Sequence, residues 1–216
     1  MDLEFKQYGL RAQRLEDEDE DEEEERGKKP AKDDESGPSK LEEKILETRT
    51  ILLFGEISQK SAREVCQKLI LLSALNDKDI KLIINSQGGH VEAGDTIHDM
   101  IRFVKPKVKI LGTGWVASAG ALIYVAVPVE DRYSLLNTRF MLHQPSGGVG
   151  GQATDISIEA QEILKMRDRL NKIFSVQTGQ PVERIERDTD RNFWMSAEEA
   201  KQYGLVGKVI TSQVDF

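Results

Sequence analysis

The chain has 216 residues, 30 Lys plus Arg against 38 Asp plus Glu, and a formal net charge of -8. Residues 1–50 hold 18 acidic and 10 basic side chains, so the whole excess sits there and residues 51–216 balance at 20 against 20. A neutral body with an acidic leading segment argues against a nucleic-acid phosphate or an anionic membrane as partner.

The excess centres on an unbroken acidic run from Glu16 to Glu25. Residues 11–40 add Gly27, Pro30, Gly37 and Pro38 with almost no large apolar side chain, too little burial to offset ordering entropy. Residues 1–45 are therefore expected to be a disordered acidic extension and 46–216 a single domain. No apolar stretch reaches the ~20 residues of a membrane span and MDLEFKQYGL lacks a signal-peptide pattern, so the reading is soluble and cytoplasmic. A single cysteine, Cys66, excludes an intrachain disulfide, and His90, His98 and His143 are the only histidines.

Beyond the extension, strands alternate with helices. TILLFG (50–55) reads as a buried strand, and 61–75 as a helix with Ala62, Val65, Cys66, Leu69 and Ile70 on one face. IKLIIN (80–85) is a second strand, ended by GlnGlyGly at 87–89. Residues 90–103 form a helix, 108–112 a strand, 117–127 an apolar helix, 138–143 a fourth strand, and 155–176 a long helix stopped at Gly179. This alternation predicts an α/β domain of parallel strands, with its site at their carboxyl ends.

Three strand ends carry candidate chemistry. Ser118 lies between a strand and an apolar helix, flanked by Ala117, Ala119 and Gly120, where unpaired first-turn amides stabilise negative charge. Alone, such a serine is more often a cap. Gly88 and Gly89 permit backbone conformations closed to other residues, and the amides of Gly89 and Ala119 can form an oxyanion hole. His143 closes the fourth strand, and a neutral imidazole is the usual base for a serine hydroxyl. Trp115, Trp194 and Cys66 are read as packing residues.

Taken together, Asn85-Ser86-Gln87-Gly88-Gly89, Ala117-Ser118-Ala119-Gly120-Ala121, Met141-Leu142-His143-Gln144-Pro145, Gly150-Gly151-Gln152-Ala153-Thr154-Asp155-Ile156 and Ile185-Glu186-Arg187-Asp188-Thr189 resemble the proteolytic subunit of the Clp protease, the ClpP family, from about residue 50 to 210. The resemblance implies a crotonase/ClpP-like fold, with stacked β-sheet layers surrounded by helices and a protruding handle helix. It implies a serine endopeptidase that degrades unfolded polypeptides, with Ser118 as nucleophile, His143 as base, and the amides of Gly89 and Ala119 holding the oxyanion. Two stacked heptameric rings, a tetradecamer, would enclose the site, with the helix after Asp155 making the ring-to-ring contact and the glycines at 147–151 beside the substrate channel. No cofactor is implied for this chain. ATP would be hydrolysed by a separate AAA+ unfoldase such as ClpX or ClpA, since no GxxxxGK[ST] pattern occurs here.

The chain departs from the family in three places. The triad aspartate position falls on Asn192, whose carbonyl can hold an imidazole tautomer but brings no charge; Asp188 and Asp190 are the nearby carboxylates able to stand in. Lys81 and Ile83 occupy positions that are usually aromatic on the rim of the unfoldase-docking pocket, while Phe103, Leu111, Tyr133 and Leu135 keep apolar or aromatic character. The acidic extension replaces a shorter pore segment, and in a heptamer its run would gather roughly seventy carboxylates there. Two alternatives follow: a weak or regulatory ring subunit that activates a paralogous proteolytic subunit, and a crotonase-type acyl-CoA enzyme.

Overall fold

The computed structural model describes residues 39–148 and 150–216. The acidic run and the rest of the expected extension up to residue 38 lie outside the described residues. Helix α1 (Lys40–Glu47) starts inside the stretch assigned to that extension, and the folded unit runs from Lys40 to Phe216.

Strand β1 (Thr50–Ile57) leads through a Ser58–Ser61 capping box into α2 (Gln59–Leu75). The reciprocal bonds satisfy amides that a helix start leaves unpaired. Helix α2 buries Ala62, Val65, Cys66, Leu69 and Leu72; Ile70, expected inside, faces outward because the 3.6-residue period continues to Leu72. Then follow β2 (Ile80–Gly89), α3 (Val91–Phe103), β3 (Val108–Ala117) and α4 (Ala119–Tyr124), whose residues are all buried. The apolar faces of these helices close over the sheet in one core, where full burial of a side chain such as Ile97 or Leu82 contributes about 1.5–3 kcal/mol.

The strands β1, β2, β3, β4 (Arg132–Leu135) and β7 (Lys208–Ile210) lie side by side in that order, all parallel. Strand β3 changes partner along its length. Residues Ile110 to Gly112 pair with β4, whereas Trp115 to Ala117 pair with β5 (Arg139–Leu142). Between the two halves Gly114 adopts a left-handed conformation at φ 61, and a Cβ there would lie 2.7 Å from Asn85 Oδ1. Register shifts also interrupt β1 against β2 near Gly55 and β2 against β3 near Asn85. Bulges at one level across three neighbouring strands bend the sheet there and re-aim the strand ends. This is why GlnGlyGly, expected as a stop, belongs to β2: the strand resumes beyond its bulge.

Helix α5 (Ala153–Thr178) ends at Gly179 in the left-handed conformation, as expected. It buries only Leu170, Asn171 and Phe174, all in its second half, so its first half projects from the body. Helix α6 (Val182–Asp188), strand β6 (Phe193–Ser196) and helix α7 (Ala197–Tyr203) return the chain, and β6 runs antiparallel to β5. Fully buried Arg132 fastens this return: its guanidinium donates to the carbonyls of Val127 (2.8 Å), Gln177 (2.8 Å) and Leu205 (3.5 Å) and to the Gln177 side chain. Burial pushes its pKa down to about 10. The α/β layers and the projecting helix are those expected; β4, β6, β7, α6 and α7 were not anticipated.

Candidate active site

The elbow between β3 and α4 builds the site. Ser118 sits there at φ 55 and ψ −123, a strained conformation for a residue with a side chain. Its amide donates to Met141 O on β5 (2.9 Å), and its carbonyl accepts from Ala121 (2.9 Å) and Leu122 (3.2 Å). With the backbone held on both sides, the hydroxyl is presented beyond the strand end. The expected apolar helix 117–127 is therefore shorter, and Ser118 stands before its first residue.

Small residues make this elbow possible. A Cβ on Gly88 would come 2.5 Å from Ser118 Cβ, one on Gly120 would lie 3.3 Å from Ser86 Cβ, and one on Gly94 would lie 3.2 Å from Ala119 Cβ. Strand β2 and helix α3 thus press on the nucleophile turn from two directions.

His143 follows β5 directly, and its Nε2 lies 2.8 Å from Ser118 Oγ, within range for proton transfer. Burial lowers the imidazole pKa from its ordinary 6.5, which favours the neutral ring that a general base requires. The acid limb of kcat/KM should accordingly fall at an apparent pKa below 6.5, because activity is lost only as pH drops far enough to protonate His143. A pH–rate profile on a neutral peptide checks this; a limb above 6.5 contradicts it.

The two oxyanion candidates converge on the same turn. Gly88 donates its amide to buried Ser86 Oγ (3.0 Å), so of the glycine pair it is Gly89, at φ 150, whose amide is the candidate. Ala119 begins α4, and its N–H has no acceptor within the helix.

Asn192 is not bonded to His143. It is exposed, and among the described residues its side chain makes no hydrogen bond, nor does His143 Nδ1. It is nevertheless near the ring in the chain path: β5 and β6 end with Leu142 paired to Phe193, and His143 and Asn192 are the residues that flank this last pair. Gln144 ties this loop down, donating its amide to Thr189 O (2.7 Å) and Nε2 to Asp190 O (2.8 Å). The suggested stand-ins are engaged elsewhere. Asp188 accepts from Tyr203 (3.0 Å) and Arg184 (3.3 Å), and Asp190 lies 3.9 Å from Arg167. Ser86 and Gln144 were not singled out from the sequence, although both lie inside the quoted motifs.

On the outer face of the sheet a groove of about 450 Å³ is lined by Leu52, Lys81, Ile83, Leu111 and Leu135. Phe216, unforeseen, packs at its edge, 5.3 Å from Tyr133 between ring centres, with the Lys81 ammonium 4.9 Å from the ring. Phe103 and Tyr133, expected at this pocket from the sequence, are not among its lining residues. Trp115 and Trp194 stack at 6.5 Å, with the Arg139 guanidinium 4.2 Å from Trp194, and both indoles stay partly exposed. Cys66 is buried on α2, as expected.

Among known proteins, the family model for Clp protease matches residues 34–213. The ATP-dependent Clp protease proteolytic subunit 3 of Rhizobium johnstonii is 59% identical over 174 residues, 81% of this chain and 90% of that protein. Proteolytic subunit 2 of Pseudomonas aeruginosa is 52% identical over 188 residues, covering 84% and 94%. Among solved structures, ClpP1 from Listeria monocytogenes matches with a TM-score of 0.74 at 52% identity, covering 81% of this chain and 98% of that one. An asparagine-to-aspartate mutant of the same ClpP1 matches at 0.76 and 53%, with the same coverage.

Proposed function

Since the chain belongs to the Clp protease family, we propose that this serine-type proteolytic subunit hydrolyses unfolded polypeptides through Ser118 and His143. The 2.8 Å contact between the two, on an elbow that strains the serine backbone, carries the reading.

Ser118 Oγ attacks the scissile carbonyl carbon while its proton passes to His143 Nε2. The carbonyl oxygen takes up negative charge and accepts from the amides of Gly89 and Ala119. Collapse of this intermediate breaks the C–N bond, and the imidazolium gives its proton to the departing amine. Water then enters, His143 removes its proton, and the resulting hydroxide attacks the acyl ester. Return of the proton to Ser118 Oγ frees the acid product. Asn192 is the proposed third member: its side-chain carbonyl is the group next to the ring able to accept Nδ1–H and hold the tautomer without adding charge. Side chains and amides of this chain carry every step.

Clp proteases work as ring oligomers with ATPase partners. Here we assign the ring-to-ring contact to the projecting half of α5, and the docking of an AAA+ unfoldase such as ClpX or ClpA to the groove beside Lys81 and Ile83. Heptameric rings stacked as a tetradecamer, with or without a second proteolytic subunit, are the assembly proposed. Among the described residues no helix is long and apolar enough to cross a membrane.

The assignment of the nucleophile is tested with a fluorophosphonate probe. Wild-type protein should be labelled and Ser118→Ala should not; labelling that survives the substitution overturns it.

A further inference from the structure

Helix α3 touches both halves of the candidate oxyanion hole. It begins at Val91, two residues beyond Gly89, and at Gly94 it rests on Ala119, where a Cβ would sit 3.2 Å from Ala119 Cβ and 3.4 Å from its carbonyl oxygen. A small rotation of α3 therefore moves one amide against the other.

The residue after Gly94 is held from outside. Asp95 accepts two parallel bonds from Arg169 on α5, Nη1 to Oδ1 and Nη2 to Oδ2, each 2.6 Å. Arg169 precedes buried Leu170, so the pair lies where α5 first joins the body. Asp95 is mostly covered, at 20% side-chain exposure, and a bidentate fork fixes orientation as well as distance. Asp95 is the carboxylate of α3 that bonds Arg169, whereas Glu92 and Asp99 lie beside His90 and His98.

We propose that the Asp95–Arg169 pair is a positioning clamp, which sets the relative placement of the Gly89 and Ala119 amides by tying helix α3 to helix α5. The proposal rests on the assignment of those amides as the oxyanion hole. Packing alone keeps α3 in the fold, since Ala93, Ile97 and Ile101 are buried in the core. Loss of the clamp thus changes orientation rather than folding, and it acts on a step in which charge develops on the substrate oxygen. Because α5 also carries the proposed ring contact, the clamp transmits order in that helix to the site.

The experiment measures fluorophosphonate labelling of full-length protein across probe concentrations, beside thermal midpoint and assembly state, with Ser118→Ala as control. Arg169→Gln should lower the maximal labelling rate about tenfold, leaving the half-saturating probe concentration unchanged. Asp95→Asn should lower it less, because the amide oxygen can still accept one of the two Arg169 bonds. The double variant should be no slower than Arg169→Gln, and Arg169→Lys, which keeps the charge but not the fork, should recover only a small part of the rate. Unchanged rates in both single variants, losses that multiply in the double variant, or losses that track only disassembly or melting would each overturn the clamp. Labelling of Ser118→Ala would instead overturn the reading beneath it.

Discussion

Asn192→Asp should raise peptidase kcat by about 10²-fold in the assembled protein. His143 and residue 192 flank the last pair of β5 and β6, Leu142 with Phe193, and the ring's Nδ1 lacks a partner among the described residues. A carboxylate there supplies what the amide cannot, a negative charge that stabilises the imidazolium while Ser118 attacks. The converse exchange in chymotrypsin-like triads costs about 10⁴. The gain here is smaller because position 192 is exposed and water screens the pair. The same substitution should move the acid limb of the pH–rate profile upward, since a neighbouring carboxylate raises the pKa that burial now lowers. Steady-state peptide hydrolysis across pH checks both effects; an unchanged kcat in intact rings would sink the idea that charge is the missing element.

Gly88→Ala should cost about 10²-fold or more in the labelling rate of Ser118 and lower the thermal midpoint. Three neighbours oppose the added methyl: Ser118 Cβ at 2.5 Å, Ala117 O at 2.9 Å and Ser118 Oγ at 3.0 Å. Ordinary contact begins near 3.4 Å, so the nucleophile must retreat by about 1 Å, a displacement that alone costs about 10²-fold in rate. The backbone contributes too, because φ 100 at Gly88 disfavours any side chain, at about 1–3 kcal/mol. Adding Ser118→Gly to Gly88→Ala should raise the midpoint by more than Ser118→Gly raises it in the wild-type protein, which separates the clash from the strain at residue 118. A Gly88→Ala protein that labels at the wild-type rate would contradict this account.

Much of this site is legible in the sequence because its signals are local. A serine among Ala and Gly, a glycine pair ending a run of branched apolar residues and a histidine closing an alternating strand each report strand-end chemistry within a few positions. What escapes is non-local. Strands β4, β6 and β7 have four residues or fewer, and unlike the equally short β5 none is followed by a proline turn that marks its end. The extension of β2 through Gly89 depends on bulges that involve β1 and β3 together. The placement of Asn192 depends on a register between strands some fifty residues apart, and the engagement of Asp188 by Tyr203 and Arg184 is a tertiary choice. Arg132 misleads most: a cation reads as surface, yet this one is fully buried on carbonyl oxygens.

Those carbonyls belong partly to Gln177, at the far end of helix α5, and they divide that helix into unequal parts. One end is riveted to the body through Arg132, Leu170 and Phe174; the other, from Ala153 to Glu162, buries nothing and exposes Ile156 and Ile158. The outer stretch continues a helix already nucleated at its fixed end, so in a lone chain propagation rather than packing maintains it. In the proposed assembly a neighbour covering Ile156 and Ile158 adds the missing burial, so dilution should lower the helical content of this arm before the core melts.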